Sequence, residues 1–166
     1  MATALFYASS TGSTESIAKE IAENLGGIDI FDVADTPIDK INDYDKLIFG
    51  VATWGDGEFE DEWEEVMDDF EKINLSGKTV ALFGLGDQEG YGDTYLDAMG
   101  EMYEKVIKMG ANVIGSFDID SDYDYENSKA VLNGKFVGLA LDEDNQSELS
   151  AKRIKTWINQ IKDKIL

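Results

Sequence analysis

The sequence predicts an α/β fold, a five-stranded parallel sheet with helices on both faces. Two observations predict it. Short apolar runs alternate with segments whose apolar residues recur every three or four positions, which is typical of parallel strands joined by crossover helices. The chain has 166 residues, 43% of them hydrophobic, which is enough for one domain with a buried core. We therefore expect residues 1–166 to form a single domain.

Five apolar runs are predicted to be buried strands because each is short and almost uninterrupted by polar residues. They are residues 3–8, 28–33, 46–53, 79–86 and 112–117. Another apolar run, at 135–141, follows an acidic and aromatic stretch without helical periodicity. The simplest interpretation is a fifth strand interrupted by about 20 residues, which is long for a loop. Whether this insertion has a function or only decorates the fold stays open.

Four helical segments are predicted from their apolar faces. The first has Ile17, Ile21 and Leu25 at four-residue spacing and ends at Gly26. The other faces consist of Trp63, Val66, Met67, Phe70 and Ile73; of Leu96, Met99, Met102, Tyr103, Val106 and Ile107; and of Ile154, Trp157, Ile158, Ile161 and Ile165. Residues 36–45 leave room for only a short helix.

The composition excludes several classes of function. The chain has 35 acidic and 14 basic residues, a formal charge of -21, whereas nucleic acids and anionic membranes are bound through basic patches. A basic protein partner is the more plausible one. Because cysteine and histidine are absent, disulfides, thiolate nucleophiles, histidine-based triads and zinc sites are not expected. We expect no metal site and no catalytic side chain, so difficult chemistry would need a cofactor.

The sequence carries no targeting signal that we recognise. Met1 leads directly into an apolar run without a basic segment or a cleavage site. No apolar stretch approaches the roughly 20 residues that span a bilayer. We expect a monomeric, cytoplasmic protein.

The segment SSTGST, residues 9–14, joins the first strand to the first helix. In a sheet of order 2-1-3-4-5, the loops after strands one and three flank a crevice where ligands bind. Backbone N–H groups at a helix start favour an anion, and Gly12 lets the backbone approach closely. Hydroxyl donors are available from Ser9, Ser10, Thr11, Ser13 and Thr14.

No lysine accompanies these hydroxyls, so the segment is not a P-loop, and a monophosphate is the better fit. Taken alone, the segment would more simply be an ordinary helix cap. Its position at the crevice favours the anion site.

Two aromatic residues lie in the other loops of this crevice. Trp54 follows the third strand in TWGDGE, and Tyr91 follows the fourth in GLGDQEGYGDT. A planar ring could stack between these side chains. With a monophosphate site beside them, the predicted ligand is a mononucleotide with a planar ring system.

These motifs resemble those of the flavodoxins, small electron-transfer proteins that bind FMN, over essentially the whole chain. SSTGST is similar to their phosphate loop, ATWGDGE to the loop whose tryptophan covers the flavin, and GLGDQEGYGD to the loop whose tyrosine stacks on the other face. NGKFVGLALDEDNQ, residues 133–146, is similar to a stretch of the long-chain members, which have an interrupted fifth strand. The resemblance implies a flavodoxin-like three-layer sandwich with the strand order 2-1-3-4-5.

The resemblance also implies roles for individual residues. Residues 9–14 would hold the phosphate, and Thr53 and Trp54 would flank the ribityl chain and the ring. The remaining implied contacts are Gly55 and Asp56 at the flavin N5 edge, backbone donors of Gly86 and Asp87 and an Asp87 acceptor at the pyrimidine edge, Tyr91 on the outer ring face, and Asp144 at the ribityl hydroxyls.

Three positions depart from the family pattern. Ala52 replaces a common proline, Gly55 and Asp56 replace the asparagine and apolar residue of many long-chain members, and Leu85 replaces a small polar residue. None of these changes removes a stacking ring or a phosphate donor.

The function implied by the resemblance is that of a low-potential one-electron carrier. Non-covalently bound FMN would cycle between semiquinone and hydroquinone, passing electrons from a reductase to acceptor enzymes without any substrate turnover by the protein itself. A response-regulator receiver is disfavoured because it needs paired aspartates after the first strand, where this chain has YASST. A flavin-dependent quinone reductase, which shares fold and cofactor, and a pure binding module stay open as alternatives.

An acidic run follows the Trp54 loop. Nine of the fourteen residues from 58 to 71 are acidic, namely Glu58, Glu60, Asp61, Glu62, Glu64, Glu65, Asp68, Asp69 and Glu71, and the run contains no base. Because the apolar face of this helix belongs to the core, we expect the acids to face solvent. The hypothesis is that this face, with Asp122 and Asp124, steers a basic redox partner toward the ring; the alternative is a merely solvated helix face.

Overall fold

The computed structural model describes residues 2–9, 12–54 and 57–166 of the chain. Nine strands are found there: β1 (Thr3–Tyr7), β2 (Asp29–Asp32), β3 (Lys46–Ala52), β4 (Thr79–Leu85), β5 (Asn112–Ile114), β6 (Phe117–Asp118), β7 (Val131–Leu132), β8 (Lys135–Phe136) and β9 (Leu139–Leu141). The helices are α1 (Ser13–Asn24), α2 (Asp61–Phe70), α3 (Asp97–Lys108) and α4 (Ser147–Ile165), and a 3-10 helix spans Ile38–Asp43. The 3-10 helix confirms the short helix that was predicted between strands two and three.

The main sheet is parallel and has the order β2-β1-β3-β4-β5. This confirms the predicted fold class and strand order. Strand β3 pairs with β1 on one side and with β4 on the other, so that Gly50 lies opposite both Tyr7 and Phe83. The carboxyl ends of β1, β3 and β4 therefore meet at one edge of the sheet.

The fifth strand position is divided, as predicted. Strand β5 pairs with the first half of β4, and β9 pairs with the second half. Between them, β6, β8 and β7 form a small antiparallel sheet in that order.

The boundaries of two predicted strands were wrong. The run 135–141 is divided between the two sheets, and the break includes Gly138, where a Cβ would lie 2.2 Å from the carbonyl oxygen of Leu82. The run 112–117 leaves the sheet after Ile114 because Gly115 has a φ of +86°.

The helices cover both faces of the sheet. The crossover from β1 to β2 runs in the opposite direction to those from β3 to β4 and from β4 to β5, so right-handed connections place α1 on one face and α2 and α3 on the other. Helices α1 and α4 contact each other and share a face. Within the described ranges, no helix combines the length and the apolar character that crossing a bilayer would require.

Core contacts fix α2 against the sheet. Trp63 is fully buried and its indole Nε1 donates a hydrogen bond of 3.0 Å to the carbonyl oxygen of Gly50. The Trp63 and Phe49 rings meet edge to face at 6.0 Å. The amino-terminal end of α2 is thus held next to the loop that follows β3. Ile107, predicted on the apolar face of α3, is instead exposed.

The insertion packs closely on the rest of the fold. Tyr123 and Phe136 meet at 4.8 Å between ring centroids, and Tyr125 lies 5.3 Å from Tyr95. The hydroxyl of buried Tyr123 donates to the carbonyl oxygen of Ala140 in β9 at 2.7 Å. The insertion therefore has an aromatic core continuous with the main one.

Candidate functional site

A cavity of about 300 Å³ opens at the carboxyl ends of the central strands. This size falls at the lower end of the range for small-molecule sites. It is lined by Ser13, Thr14, Ala52, Thr53, Trp54, Glu60, Leu85, Gly86, Asp87, Tyr91, Glu143 and Asp144. The cavity lies at the edge where the sequence predicted a ligand site.

Eight predicted residues come together in this cavity: Ser13, Thr14, Thr53, Trp54, Gly86, Asp87, Tyr91 and Asp144. Ser9 and Gly12 lie in the turn that leads into α1. Ser10, Thr11, Gly55 and Asp56 lie outside the described residues.

The turn before α1 is held by the hydroxyl of Ser9. Ser9 Oγ accepts hydrogen bonds from the backbone N–H groups of Gly12 at 3.0 Å and Glu15 at 3.3 Å. Gly12 precedes the helix with a φ of +91°, which favours glycine. These two N–H groups were expected to face an anion, but they are used inside the turn. Ser13 and Thr14 in the first turn of α1 present hydroxyls to the cavity.

The backbone of Trp54 is paired with that of Glu58. Trp54 N–H donates to the Glu58 carbonyl at 2.8 Å, and Glu58 N–H donates back to the Trp54 carbonyl at 2.7 Å. Before it, Thr53 Oγ1 accepts a bond of 3.1 Å from the N–H of Ala98 in α3. Trp54 is 43% exposed, which is unusual for so large a ring.

The Tyr91 loop is organised by the carboxylate of Asp87. Asp87 Oδ1 accepts hydrogen bonds from the N–H of Gly90 at 2.7 Å, from the N–H of Glu89 at 3.1 Å and from Asn145 Nδ2 at 2.8 Å. Burial raises the pKa of Asp87, but these hydrogen bonds outweigh it and hold the pKa below its usual value. Tyr91 is 48% exposed at the end of this loop.

Gly86 lines the cavity, but its N–H is used inside the protein. The N–H, expected as a donor at the pyrimidine edge, donates to the carbonyl of Leu141 at 3.1 Å. A Cβ at Gly86 would lie 2.9 Å from Tyr95 Cδ1. The cavity wall is therefore formed here by backbone that only glycine allows.

A buried carboxylate joins the Tyr91 loop to the segment after β9. Asp142 is fully buried, and its Oδ2 accepts bonds from Gln88 N–H at 3.1 Å and from Gln88 Nε2 at 2.9 Å. Its Oδ1 accepts a 3.0 Å bond from Asn145 N–H. The loop that carries Asp87 and the segment that carries Glu143 and Asp144 are thereby fixed relative to one another.

The electrostatic character of the cavity is strongly negative. Its described lining includes four carboxylates, those of Glu60, Asp87, Glu143 and Asp144, and neither lysine nor arginine. Burial raises the pKa of Asp144, and the charges of Asp87 and Asp142 raise it further. Such a cavity accepts an anion only through neutral donors and disfavours added negative charge elsewhere in the ligand.

Sequence reasoning missed four lining residues: Ala52, Leu85, Glu60 and Glu143. Ala52 and Leu85 end β3 and β4, so the predicted topology could have identified them. Glu60 was assigned to the solvent-facing acidic run, yet it is only 2% exposed because it precedes α2 and lies in the cavity wall. Glu143 adjoins the predicted Asp144 but had no separate signal.

Fold and cavity together define a doubly wound α/β protein with a cavity at its topological switch point. The flavodoxin family model matches residues 5–157. Flavodoxin from Picosynechococcus sp. is 47% identical over 161 residues, covering 95% of this chain and 94% of that protein. Flavodoxin from Haemophilus influenzae is 43% identical over 164 residues, covering 97% and 94%.

Solved structures agree with these matches. The crystal structure of Fusobacterium nucleatum flavodoxin bound to flavin mononucleotide superposes with a TM-score of 0.93 at 35% identity, covering 99% of each chain. Oxidised flavodoxin 1 from Bacillus cereus gives a TM-score of 0.73 at 26% identity over 98% of each chain. The chain belongs to the flavodoxin family.

The carboxyl of Glu143 provides a pH-dependent prediction. Burial raises its pKa, and the hydrogen bond from Ser150 Oγ at 3.0 Å offsets part of that rise. A raised pKa in the folded state contributes stability below the unfolded pKa, and this contribution is lost as pH rises through the folded pKa. We therefore expect Glu143→Gln, which keeps an oxygen for Ser150, to gain stability relative to wild type as pH rises from about 4 to 7.

Urea unfolding of the FMN-free protein across that pH range measures this difference. Ser150→Ala should have the opposite effect and lose stability more steeply with rising pH, because the charged carboxylate loses its donor. An identical pH dependence in wild type and Glu143→Gln would contradict the assignment.

Proposed function

We propose that the chain is a one-electron carrier whose redox centre is FMN, bound non-covalently in the cavity between the Trp54 and Tyr91 loops. The observation that carries the proposal is the pair of half-exposed aromatic rings on two loops of one cavity, in a member of the flavodoxin family. The Fusobacterium relative is a flavodoxin bound to this nucleotide. When bound, FMN supplies reversible one-electron chemistry, for which this chain lacks suitable side chains.

The phosphate would be held at the start of α1. The hydroxyls of Ser13 and Thr14 line the cavity there, and the helix dipole favours an anion. Ser9, whose oxygen already accepts two N–H groups, still has its hydroxyl hydrogen to donate. Ser10 and Thr11 are proposed as further donors from the sequence. Neutral donors suffice for a phosphate dianion here.

The ring would be covered by Trp54 and Tyr91, with Thr53 beside the ribityl chain. The hydroxyl oxygen of Thr53 is occupied by Ala98 N–H, which leaves its hydrogen to donate toward the ligand. Asp144 is proposed to accept from ribityl hydroxyls, Asp87 to contact the pyrimidine edge, and Gly55 and Asp56 to flank N5. Gly86 lies beside that edge in the cavity lining.

The acidic cavity supports a low potential for the second electron. The fully reduced ring carries extra negative charge, which four lining carboxylates disfavour and which no cation among the described lining residues offsets. At an effective dielectric of about 20, one unit charge about 8 Å away costs about 2 kcal/mol. Several such terms make the second reduction step unfavourable and the fully reduced protein a strong donor.

We place the protein between a reductase and a low-potential acceptor enzyme, as a monomeric carrier in the cytoplasm without substrate turnover of its own. The negative charge of the chain supports partners with basic docking surfaces. The carriers that exchange electrons with it are thus other redox proteins.

The acidic face of α2 is the proposed docking surface, but it contains fewer exposed acids than the sequence predicted. Glu60 is buried and Glu62 is half-buried, so the expectation that every acid of the run faces solvent was wrong. Glu71 pairs with Lys105, and Asp69 lies 3.9 Å from Lys72. The exposed acids that remain are Glu58, Asp61, Glu64, Glu65 and Asp68. Asp122 and Asp124 of the insertion are also exposed.

Removing either stacking ring should weaken FMN binding. Loss of an aromatic contact costs about 1–3 kcal/mol, so Trp54→Ala and Tyr91→Ala should each raise the Kd for FMN by about 5- to 150-fold. Tyr91→Ala should also raise the second reduction potential because water then reaches the ring. Quenching of flavin fluorescence on titration into the FMN-free protein gives the Kd.

The matched control is Leu132→Ala, which removes an apolar side chain of similar exposure from β7, outside the cavity lining. Its Kd should equal that of wild type. Wild-type affinity and potentials in Tyr91→Ala would show that Tyr91 does not contact the flavin.

Neutralising part of the acidic face should slow electron transfer to a basic partner. The triple variant Asp61→Asn, Glu65→Gln, Asp68→Asn should reduce the bimolecular rate by about 3- to 10-fold at low ionic strength and flatten its salt dependence. FMN affinity should not change. Stopped-flow oxidation of the reduced protein by a basic cytochrome measures the rate.

A control triple variant, Glu23→Gln, Glu104→Gln, Asp163→Asn, changes the net charge equally on other exposed helix positions. If both triple variants slow the reaction to the same extent, overall charge and not the α2 face steers the partner.

A further inference from the structure

The amino-terminal end of α3 contacts the turn that carries Trp54. No residue of α3 is among the described residues that line the cavity. Two contacts form this junction. Ala98 N–H donates to Thr53 Oγ1 at 3.1 Å, at the entry to the turn. The side chain of Asp97 lies against Gly57, within the turn.

Gly57 packs so closely against the Asp97 side chain that no larger residue would fit between them. It is buried, and its φ of +98° is a conformation that side chains rarely adopt. A Cβ there would lie 2.9 Å from Asp97 Cβ and 3.0 Å from Asp97 Oδ2. The backbone of the turn thus rests directly on the Asp97 side chain.

Asp97 is itself firmly held. Its side chain is only 4% exposed, and Oδ1 accepts a 2.8 Å hydrogen bond from the N–H of Lys129. Its own N–H donates to the Thr94 carbonyl at 3.1 Å. A carboxylate in the first turn of α3 is also favoured by the helix dipole. The surface against which Gly57 packs therefore has one fixed position.

The turn transmits that position to Trp54. Gly57 N–H donates to the Trp54 carbonyl at 3.1 Å, and Glu58 closes the turn with two further bonds to Trp54. A displacement of Gly57 must accordingly displace the backbone of Trp54. The Trp54 ring is 43% exposed, so its position depends on the backbone that carries it.

We propose that Asp97 is a positioning residue for the flavin site, acting through Gly57 to hold the 54–58 turn where the Trp54 ring can cover FMN. Neither residue is among the described lining of the cavity, so the effect passes through the turn and not through contact with the ligand. The inference rests on the proposed function for its ligand, but the preorganised turn is a property of the protein alone.

The contact can be altered from both sides. Asp97→Ala removes the supporting side chain, and Gly57→Ala forces the turn away from it. Asp97→Asn keeps the volume and an oxygen that can accept from Lys129. The matched control is Gly77→Ala, since Gly77 has a similar φ of +80° but nothing within 4 Å of its would-be Cβ. Gly77→Ala therefore imposes the backbone strain without a collision.

Two measurements are made on each variant. The first is the Kd for FMN. The second is the fluorescence anisotropy decay of Trp54 in the FMN-free protein, isolated by acrylamide quenching because Trp63 and Trp157 are 0% exposed. A Trp54→Phe variant identifies the quenchable signal. Urea unfolding of each protein reports general stability separately.

We expect Asp97→Ala and Gly57→Ala to raise the Kd by about tenfold, because the turn must then be ordered on binding. Both should also increase the local motion of Trp54. Asp97→Asn and Gly77→Ala should match wild type in both measurements, whatever stability Gly77→Ala loses.

Unchanged Trp54 anisotropy in Asp97→Ala and Gly57→Ala would overturn the inference, as would changes of equal size in Gly77→Ala. If Asp97→Ala does not fold, Gly57→Ala decides alone. Failure of the wild-type protein to bind FMN would contradict the proposed function, while the anisotropy comparison would still test the positioning of the turn.

Discussion

The parallel pairing of β3 between β1 and β4 is the constraint on which the site depends. Ala52 at the end of β3 lies opposite Leu85 at the end of β4, and Tyr7 at the end of β1 lies opposite Gly50. Three chain segments that are far apart in sequence therefore leave the sheet side by side. The hydroxyls before and within α1, the Trp54 turn and the Tyr91 loop converge for this reason, and a register shift in either pairing would separate them.

The loops at this edge are stiffened by internal hydrogen bonds. Ser9 accepts a hydrogen bond from a backbone N–H group of the turn before α1, and Asp87 accepts one from a backbone N–H group of the Tyr91 loop. Asp142 accepts one from Gln88 and so links that loop to the segment after β9. Each of these polar groups is engaged with backbone or amide donors of the protein itself. The exposed parts of the site include the two rings, the Ser13 hydroxyl and the Asp144 carboxylate, and a ligand meets a cavity that is already shaped. The excess of carboxylates around it sets the sign of the field at the ligand.

Much of this was predictable from the sequence because it depends on local patterns and strand topology. Apolar runs fixed the five strand positions, and loops after strands one, three and four then had to share one edge. Trp54 and Tyr91 could be assigned to the cavity because each lies in the loop that follows a strand end. Hydrogen-bond directions could not be predicted: whether the Gly86 N–H faces a ligand or Leu141 depends on how β9 completes the sheet. The prediction for Glu60 was wrong because the exposed helix face begins only at the next residue, Asp61, whereas Glu60 itself is buried just before α2.

We propose that neutral donors hold FMN in this cavity while the surrounding carboxylates oppose further negative charge. A potentiometric titration of the FMN-loaded protein, followed by visible absorption at neutral pH, tests it most directly. We expect the two electrons to enter in separate steps, the second at a much lower potential than the first. Entry of both electrons together at one potential would contradict the account.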